Sequence, residues 1–448
     1  MSLLPETVRR IDQLTAETQA AGQVPTLLAG VVRNGSLVHL SVAGGTDPAR
    51  PQGAGESDAD VQYRIGSITK TLTAVLVLQL RDQGKLGLDD PLERHLPDTV
   101  AGTTTLRQLL AHAGGLYREP AGPWWERSPG VDLEKLLATL AADTVDGLPT
   151  HRYHYSNVAY ALLGALLERK TGQSWWDLTR TNLLLPLGMT RTSYLPQEPY
   201  ARGYVVHPWH GTLREEPRTD TGAMAPAGQL WSTAADLARW AAFLADPAPE
   251  VLDAGTLAEM CAPQVMSDLD SWTAGHGLGL ELFREGDRVY VGHSGSMPGY
   301  VALVMVHRPS RTGIVAFANA YGFRSGSIVA FGRRLLTTVL DLEPAPVRPW
   351  RPTASLPPAA AELTGIWWWM GRGYEVSWDD DRSELVVRIL FPVGGVPWRF
   401  TAEGPDRWRG RSGMNEGEVL TVRRDASGAV VALEVATFVF TRHPDDLG

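Results

Sequence analysis

Ser67 and Lys70 are the residues of this sequence best placed for covalent chemistry. They stand in Gly66-Ser67-Ile68-Thr69-Lys70, at the head of an apolar run that continues to about Arg81. A spacing of three puts two side chains on one face of a helix, one turn apart. At a helix start, free backbone N–H groups and the positive dipole end favour a developing oxyanion. The residues after Lys70 (Leu72, Ala74, Val75, Leu76, Val77, Leu78) call for burial. Burial disfavours an ammonium and turns the lysine into a neutral amine that can act as a base. A serine hydroxyl is a poor nucleophile until such a base takes its proton. The plainer alternative is a solvated helix start, because Ser-x-x-Lys recurs by chance.

Two further segments narrow the choice. Tyr153-His154-Tyr155-Ser156-Asn157 precedes an apolar helix, Val158 to Arg169, with Gly172 as its stop. Tyr155 beside Lys70 can give or receive a proton. Asn157 is placed either to cap the helix or to hydrogen-bond a substrate amide. Gly292-His293-Ser294-Gly295-Ser296 follows the strand-like run Val289–Val291. Its small residues let a substrate backbone lie alongside, and the Ser296 N–H can complete an oxyanion hole with that of Ser67.

The elements that must hold these residues read as follows. Pro5 to Ala21 is an amphipathic helix with Val8, Ile11 and Leu14 at helical spacing. Leu27–Val32 and Leu37–Val42 form a hairpin through Asn34-Gly35. A mostly helical stretch runs from about Gly66 to Pro263. Strand character returns at Gly277–Phe283, Val289–Val291, Tyr300–His307 and Gly313–Asn319, and Ser325–Leu342 is a closing helix. This order predicts an α+β fold: one antiparallel sheet, terminal helices on one face and a helical lobe on the other.

Six prolines between Pro344 and Pro358 predict a stiff linker, dividing residues 1–343 from 359–448. The second part has short alternating runs: Tyr374–Trp378, Leu385–Ile389, Trp398–Ala402, Val419–Arg423, Val430–Val435 and Phe438–Thr441. They predict a small antiparallel β-barrel. Seven of the chain's fifteen tryptophans lie from Trp350 onward. They either fill the core of a small domain or line a ligand-binding barrel mouth.

Together the three segments resemble the penicillin-recognising serine hydrolases: class C β-lactamases, D,D-peptidases, D-aminopeptidases and related esterases. That family's signature is Ser-x-x-Lys, Tyr-x-Asn, and Lys-Thr-Gly or His-x-Gly. Further segments are similar too: Gly84-Lys-Leu-Gly-Leu-Asp-Asp-Pro-Leu92, Leu109-Leu-Ala-His-Ala-Gly-Gly-Leu116, Pro186-Leu-Gly-Met189 and Ala225-Pro-Ala-Gly-Gln-Leu-Trp-Ser-Thr-Ala234. The resemblance covers about Pro5 to Leu342 and implies a β-lactamase/transpeptidase-like fold. The tail from Leu363 resembles the lipocalin-like barrels of some members.

Carried over, the resemblance implies that Ser67 is acylated, Lys70 is its base, and Tyr155 shuttles protons to the leaving group and the deacylating water. Asn157, His293, Gly295 and Ser296 would contact substrate. A histidine at 293, with an ordinary pKa near ~6.5, lacks the fixed charge a lysine would offer a substrate carboxylate. The expected activity is therefore hydrolysis of a small amide or ester, of D-amino-acid-peptide or esterase type. Three alternatives stay open: a β-lactamase or D,D-carboxypeptidase, a thioesterase/peptide cyclase of penicillin-binding-protein type, and a sensor that acylates without turnover.

Composition agrees. The 448 residues carry a net charge of −9 without a long basic run, which disfavours nucleic acid or an anionic membrane as partner. A small molecule or short peptide is the expected partner. No cofactor is expected: Cys261 is the only cysteine, and the eleven histidines include no His-Glu-x-x-His. Gly292-x-Ser294-x-Ser296 lacks the last glycine and the following helix of a nucleophile elbow. Gly275-His-Gly277-Leu-Gly279 has no strand–helix unit around it to bind a dinucleotide. The first residues do not read as a secretory signal, so the expected location is cytoplasmic. Oligomeric state is not legible.

Overall fold

The hairpin at the amino end shows how sequence dictates form here. Asn34 and Gly35 take φ of 47° and 83°, the left-handed pair that a two-residue turn needs to match strand twist. They join strands Thr26–Arg33 and Ser36–Gly44. In this computed structural model, the described residues are 2–45, 58–97, 99, 101–140, 152–343, 349–353, 355–390 and 395–445. They fall into two units, Met1–Ala345 and Pro346–Gly448. Of the proline-rich stretch, residues 344–348 and 354 lie outside the described residues.

The first unit is built on an eight-stranded antiparallel sheet. From one edge the strands are Ser36–Gly44, Thr26–Arg33, Thr312–Ala318, Tyr300–His307, Arg288–Met297, Glu281–Glu285, Ala274–His276 and Val265–Met266. The central strands are apolar at nearly every position because both faces are covered. Leu27, Ala29 and Val31 pack with Ile11, Leu335 and Leu336 of the terminal helices Pro5–Gly22 and Ile328–Leu342. Leu28 and Val32 point the other way, into a core with Val75, Leu163 and Trp240 of the helical lobe. The sheet with helices on both faces is the predicted α+β arrangement.

Two strand boundaries differ from expectation. Gly277 to Leu280 is a turn, closed by Gly277 N–H donating to Leu280 O, and it separates Ala274–His276 from Glu281–Glu285. Gly279 sits there at φ 80°. The strand expected to end at Val291 continues to Met297. Glycine lowers strand propensity, but Gly292 and Gly295 lie where a Cβ would strike backbone, so close approach decides their identity.

Helix Thr69–Asp82 crosses the lobe and is buried from Thr69 to Leu78. Its hydroxyls are satisfied inside the core. Thr71 Oγ1 accepts from Trp240 Nε1 at 2.8 Å, and Thr73 Oγ1 donates to Pro226 O at 2.9 Å. The first bond ties the helix to Ala234–Ala245 and the second to the short Ala225–Gly228 turn of helix, whose carbonyls matter below.

The second unit holds a closed barrel of eight antiparallel strands. The six expected strands are present. Two more, Gly365–Trp369 and Arg407–Gly410, were not legible, the first hidden in a tryptophan triplet and the second in a short Arg-rich segment. Trp367, Tyr374, Trp398, Phe400, Trp408 and Phe440 share the barrel core. The tryptophans therefore act mainly as filling. Among the described residues, no helix is long and apolar enough to cross a membrane.

Candidate active site

Gly66–Ile68 forms a single 3-10 turn that runs into helix Thr69–Asp82. Ser67 keeps partial exposure while Lys70 is fully buried. Lys70 Nζ lies 2.9 Å from Ser67 Oγ and donates to Ala227 O at 2.6 Å. It also stands 5.0 Å from the ring centre of Tyr155 and 5.6 Å from that of Tyr160. Burial pushes the ammonium down to about 7, against the opposing pull of the Glu119 and Glu126 charges. With one N–H committed to Ala227 O, the neutral amine has a lone pair for the Ser67 proton.

Tyr155 hydrogen-bonds Ser67, and burial holds its phenol well above the ordinary range. It therefore stays protonated where Lys70 does not. Two titratable groups on one serine, pushed to opposite protonation states, form an acid–base pair.

Asn157 is the first residue of helix Asn157–Thr171, not its cap. The cap is Ser156, whose Oγ accepts from Ala159 N–H at 3.1 Å. This frees the Asn157 amide for other work. Its Nδ2 donates to both oxygens of Glu119 at 3.0 Å, and Glu119 also accepts from Trp125 Nε1 at 2.7 Å. Only an NH₂ can face a carboxylate, so the amide orientation is fixed. Asn157 Oδ1 is buried with no partner. Glu126, next to Glu119, is raised to about 7 by burial and by that neighbouring charge.

Strand Arg288–Met297 passes directly over the Gly66–Ile68 turn. A Cβ on Gly295 would lie 1.9 Å from Ile65 O and 3.1 Å from Ser67 N, and one on Gly66 would lie 2.6 Å from Ser296 N. The backbones at 66–67 and 295–296 thus run side by side, as a shared oxyanion hole requires. Gly295→Ala is expected to push the strand off the turn, costing roughly 1–3 kcal/mol or more in denaturant unfolding, with reaction at Ser67 lost in parallel. Full activity in that variant would contradict the close approach.

His293 is buried, its Nδ1–H donating to Ser294 O. Burial, then the Lys70 charge, lowers it to about 3. Ser294 is held by Glu281, which accepts from its N–H at 2.9 Å and its hydroxyl at 3.0 Å. The structure thus brings Ser67, Lys70, Tyr155, Gly295 and Ser296 together, with Asn157 and His293 buried behind. Sequence reasoning did not find Glu119, Glu126, Glu281 or the Ala227 carbonyl. The three glutamates carry no motif, the Ala225–Ala234 segment did not by itself assign its Ala227 carbonyl a partner, and all four reach the site through tertiary folding.

The site thus sets a buried lysine against a serine, at the head of a helix that faces an antiparallel sheet. A model of the beta-lactamase family matches residues 11–337, and a model of a domain of unknown function, DUF7586, matches 356–442. The chain belongs to the beta-lactamase family, a family of serine hydrolases. Beta-lactamase-like protein 2 of Dictyostelium discoideum is 26% identical over 345 residues, covering 72% of this chain and 61% of the relative. The match thus spans less than two thirds of that protein. Penicillin-binding protein 4 of Amycolatopsis lactamdurans is 32% identical over 269 residues, covering 55% of this chain and 69% of the relative. Among solved structures, a D-stereospecific amidohydrolase from Streptomyces sp. superposes with a TM-score of 0.61 at 26% identity, covering 75% of this chain and 98% of that one.

Proposed function

We propose that this protein forms an acyl-enzyme on Ser67 and hydrolyses a small amide or ester whose acyl part carries an amino group. The observation that carries the reading is the Lys70 amine, buried and 2.9 Å from Ser67 Oγ. Lys70 takes the serine proton as Oγ attacks the carbonyl carbon. The N–H groups of Ser67 and Ser296 receive the oxyanion. Tyr155 gives its phenol proton to the leaving group and is reprotonated from Lys70. In deacylation the same pair takes a proton from water and returns one to Ser67 Oγ.

Three features support an amine-bearing substrate. The unpartnered Asn157 Oδ1 accepts hydrogen bonds and so calls for an N–H donor. Glu119 and Glu126 make the surroundings acidic enough to act on Lys70 itself. Neutral His293 offers no fixed cation to a substrate carboxylate. The likeness to a D-stereospecific amidohydrolase agrees with a D-amino-acid amide or peptide.

A second reading, a β-lactamase or D,D-carboxypeptidase, is favoured by Arg118, an exposed guanidinium 5.4 Å from the Tyr155 ring centre. Its ion pair with Glu119 at 3.1 Å weakens the case. A panel of p-nitrophenyl esters, D- and L-amino-acid p-nitroanilides and nitrocefin, followed by intact mass, tests both. The first reading expects turnover of amino-acid derivatives and a mass adduct on Ser67. Turnover of nitrocefin alone favours the second, and an adduct elsewhere overturns both. Tyr155→Phe is expected to slow turnover by roughly 10²–10⁴-fold at unchanged fold. A change of less than about threefold in a steady-state assay would remove Tyr155 from the proton path.

A further inference from the structure

Behind Tyr155 lie three buried imidazoles that the proposed mechanism does not use: His112, His276 and His293. One ring nitrogen from each lies within 4.8 Å of the others. In all three rings it is Nε2 that is buried without a partner. The other nitrogens are occupied, and their partners fix the tautomers. His112 Nδ1 accepts from the Ser156 backbone N–H at 3.0 Å, so its one proton sits on Nε2. His276 Nδ1–H donates to Gly277 O at 3.1 Å, and His293 Nδ1–H donates to Ser294 O, so both present a bare Nε2 lone pair.

That set, one N–H and two lone pairs, does not suit a metal ion. Coordination through Nε2 of His112 would force its proton onto Nδ1, against the Ser156 N–H. Ring nitrogens within 4.8 Å of one another share a point no more than about 2.8 Å from each, within hydrogen-bond reach of one water. One water accepts from His112 and donates to the other two, satisfying all three groups.

We propose that His112, His276 and His293 hold a single structural water between their Nε2 atoms, and that His112 is thereby a positioning residue for Tyr155. His112 is wired on every side. It adopts φ 56°, its carbonyl accepts from His154 N–H at 2.8 Å, and its ring lies on Tyr155 with centres 4.3 Å apart and planes 31° apart. It meets Tyr160 and His276 with ring centres at 5.2 and 4.7 Å. A non-glycine residue in that backbone region is kept only where its surroundings over-determine it. The water fixes the last free edge of a ring whose face sets the tyrosine.

Histidine-selective ¹⁵N labelling of the full chain tests the site directly, through long-range ¹H–¹⁵N couplings that distinguish tautomers. Near neutral pH the expected pattern is Nε2–H for His112 and Nδ1–H for His276 and His293, assigned with His→Asn variants. One equivalent of Co²⁺ should leave these resonances unshifted and give no visible ligand-field band. A proton on His112 Nδ1, or a cobalt band, overturns the water site.

The positioning half rests on the acyl-enzyme reading. His112→Asn keeps an acceptor near Ser156 N–H, and should lower kcat on an activated ester about 10- to 100-fold with KM within about twofold. An unchanged kcat overturns the positioning role. If the wild type forms no Ser67 adduct, the acyl-enzyme reading and the positioning role built on it both fail, and the tautomer pattern still decides the water site.

Discussion

Lys70→Met should yield a protein that is inactive and more stable. The folded amine holds its proton only below about 7, against an ordinary 10.5. Its folded pKa is depressed, so the unfolded chain binds more protons throughout the interval between. Stability therefore falls as pH drops from about 10.5 to 7, and the full penalty persists at lower pH. That penalty is roughly 4–5 kcal/mol. Removing the amine recovers it, but leaves Ala227 O without its donor, a loss of about 1–3 kcal/mol. The net expectation is a melting midpoint raised by a few °C near pH 7, with the gain shrinking toward pH 10. Turnover should fall by roughly 10²–10⁴-fold. A less stable Lys70→Met would mean that the amine is not desolvated.

Ser67→Ala should remove turnover more completely, by on the order of 10⁴-fold or more, since no other group can be acylated in its place. Stability should hardly move, because Ser67 is partly exposed and Lys70 keeps the Ala227 carbonyl as a partner. Intact mass after exposure to an activated ester should show the adduct in the wild type and none in the variant. Residual activity above about a percent of wild type would remove the nucleophile assignment.

These two variants differ in a way the sequence already announced. Ser67 and Lys70 are legible as candidates because spacing on a helix is local and the apolar run behind Lys70 forecasts its burial, whereas Tyr155 is legible from the Tyr-x-Asn segment ahead of a second apolar helix. Gly295 and Ser296 are legible as small residues, although the strand that carries them runs on to Met297, past the apolar Val289–Val291 that marks it in the sequence. There a tertiary contact, the passage over Ile65 and Ser67, outweighs local propensity.

What escaped the sequence reaches the site from far along the chain. Glu119 orients Asn157 across 38 residues, and Ala227 O accepts from Lys70 across 157. Asn157 itself was legible as a helix-start residue, but its neighbour Ser156 takes the cap, since its hydroxyl reaches Ala159 N–H. The barrel was legible from alternation and turn residues, and the two missing strands lacked both signals. The three-histidine cluster brings together His276 and His293 of two sheet strands and His112 of a lobe loop, a juxtaposition that only tertiary folding produces.

The central claim is that the Lys70 side chain is an uncharged amine at neutral pH. The chain has only four lysines, Lys70, Lys85, Lys135 and Lys170, and the last three are exposed. ¹³Cε-lysine labelling should therefore resolve each, with the Lys70 signal identified by its loss in Lys70→Met. A titration of that signal with a midpoint near 7 is the predicted result. A midpoint near 10 would leave Ser67 without a base.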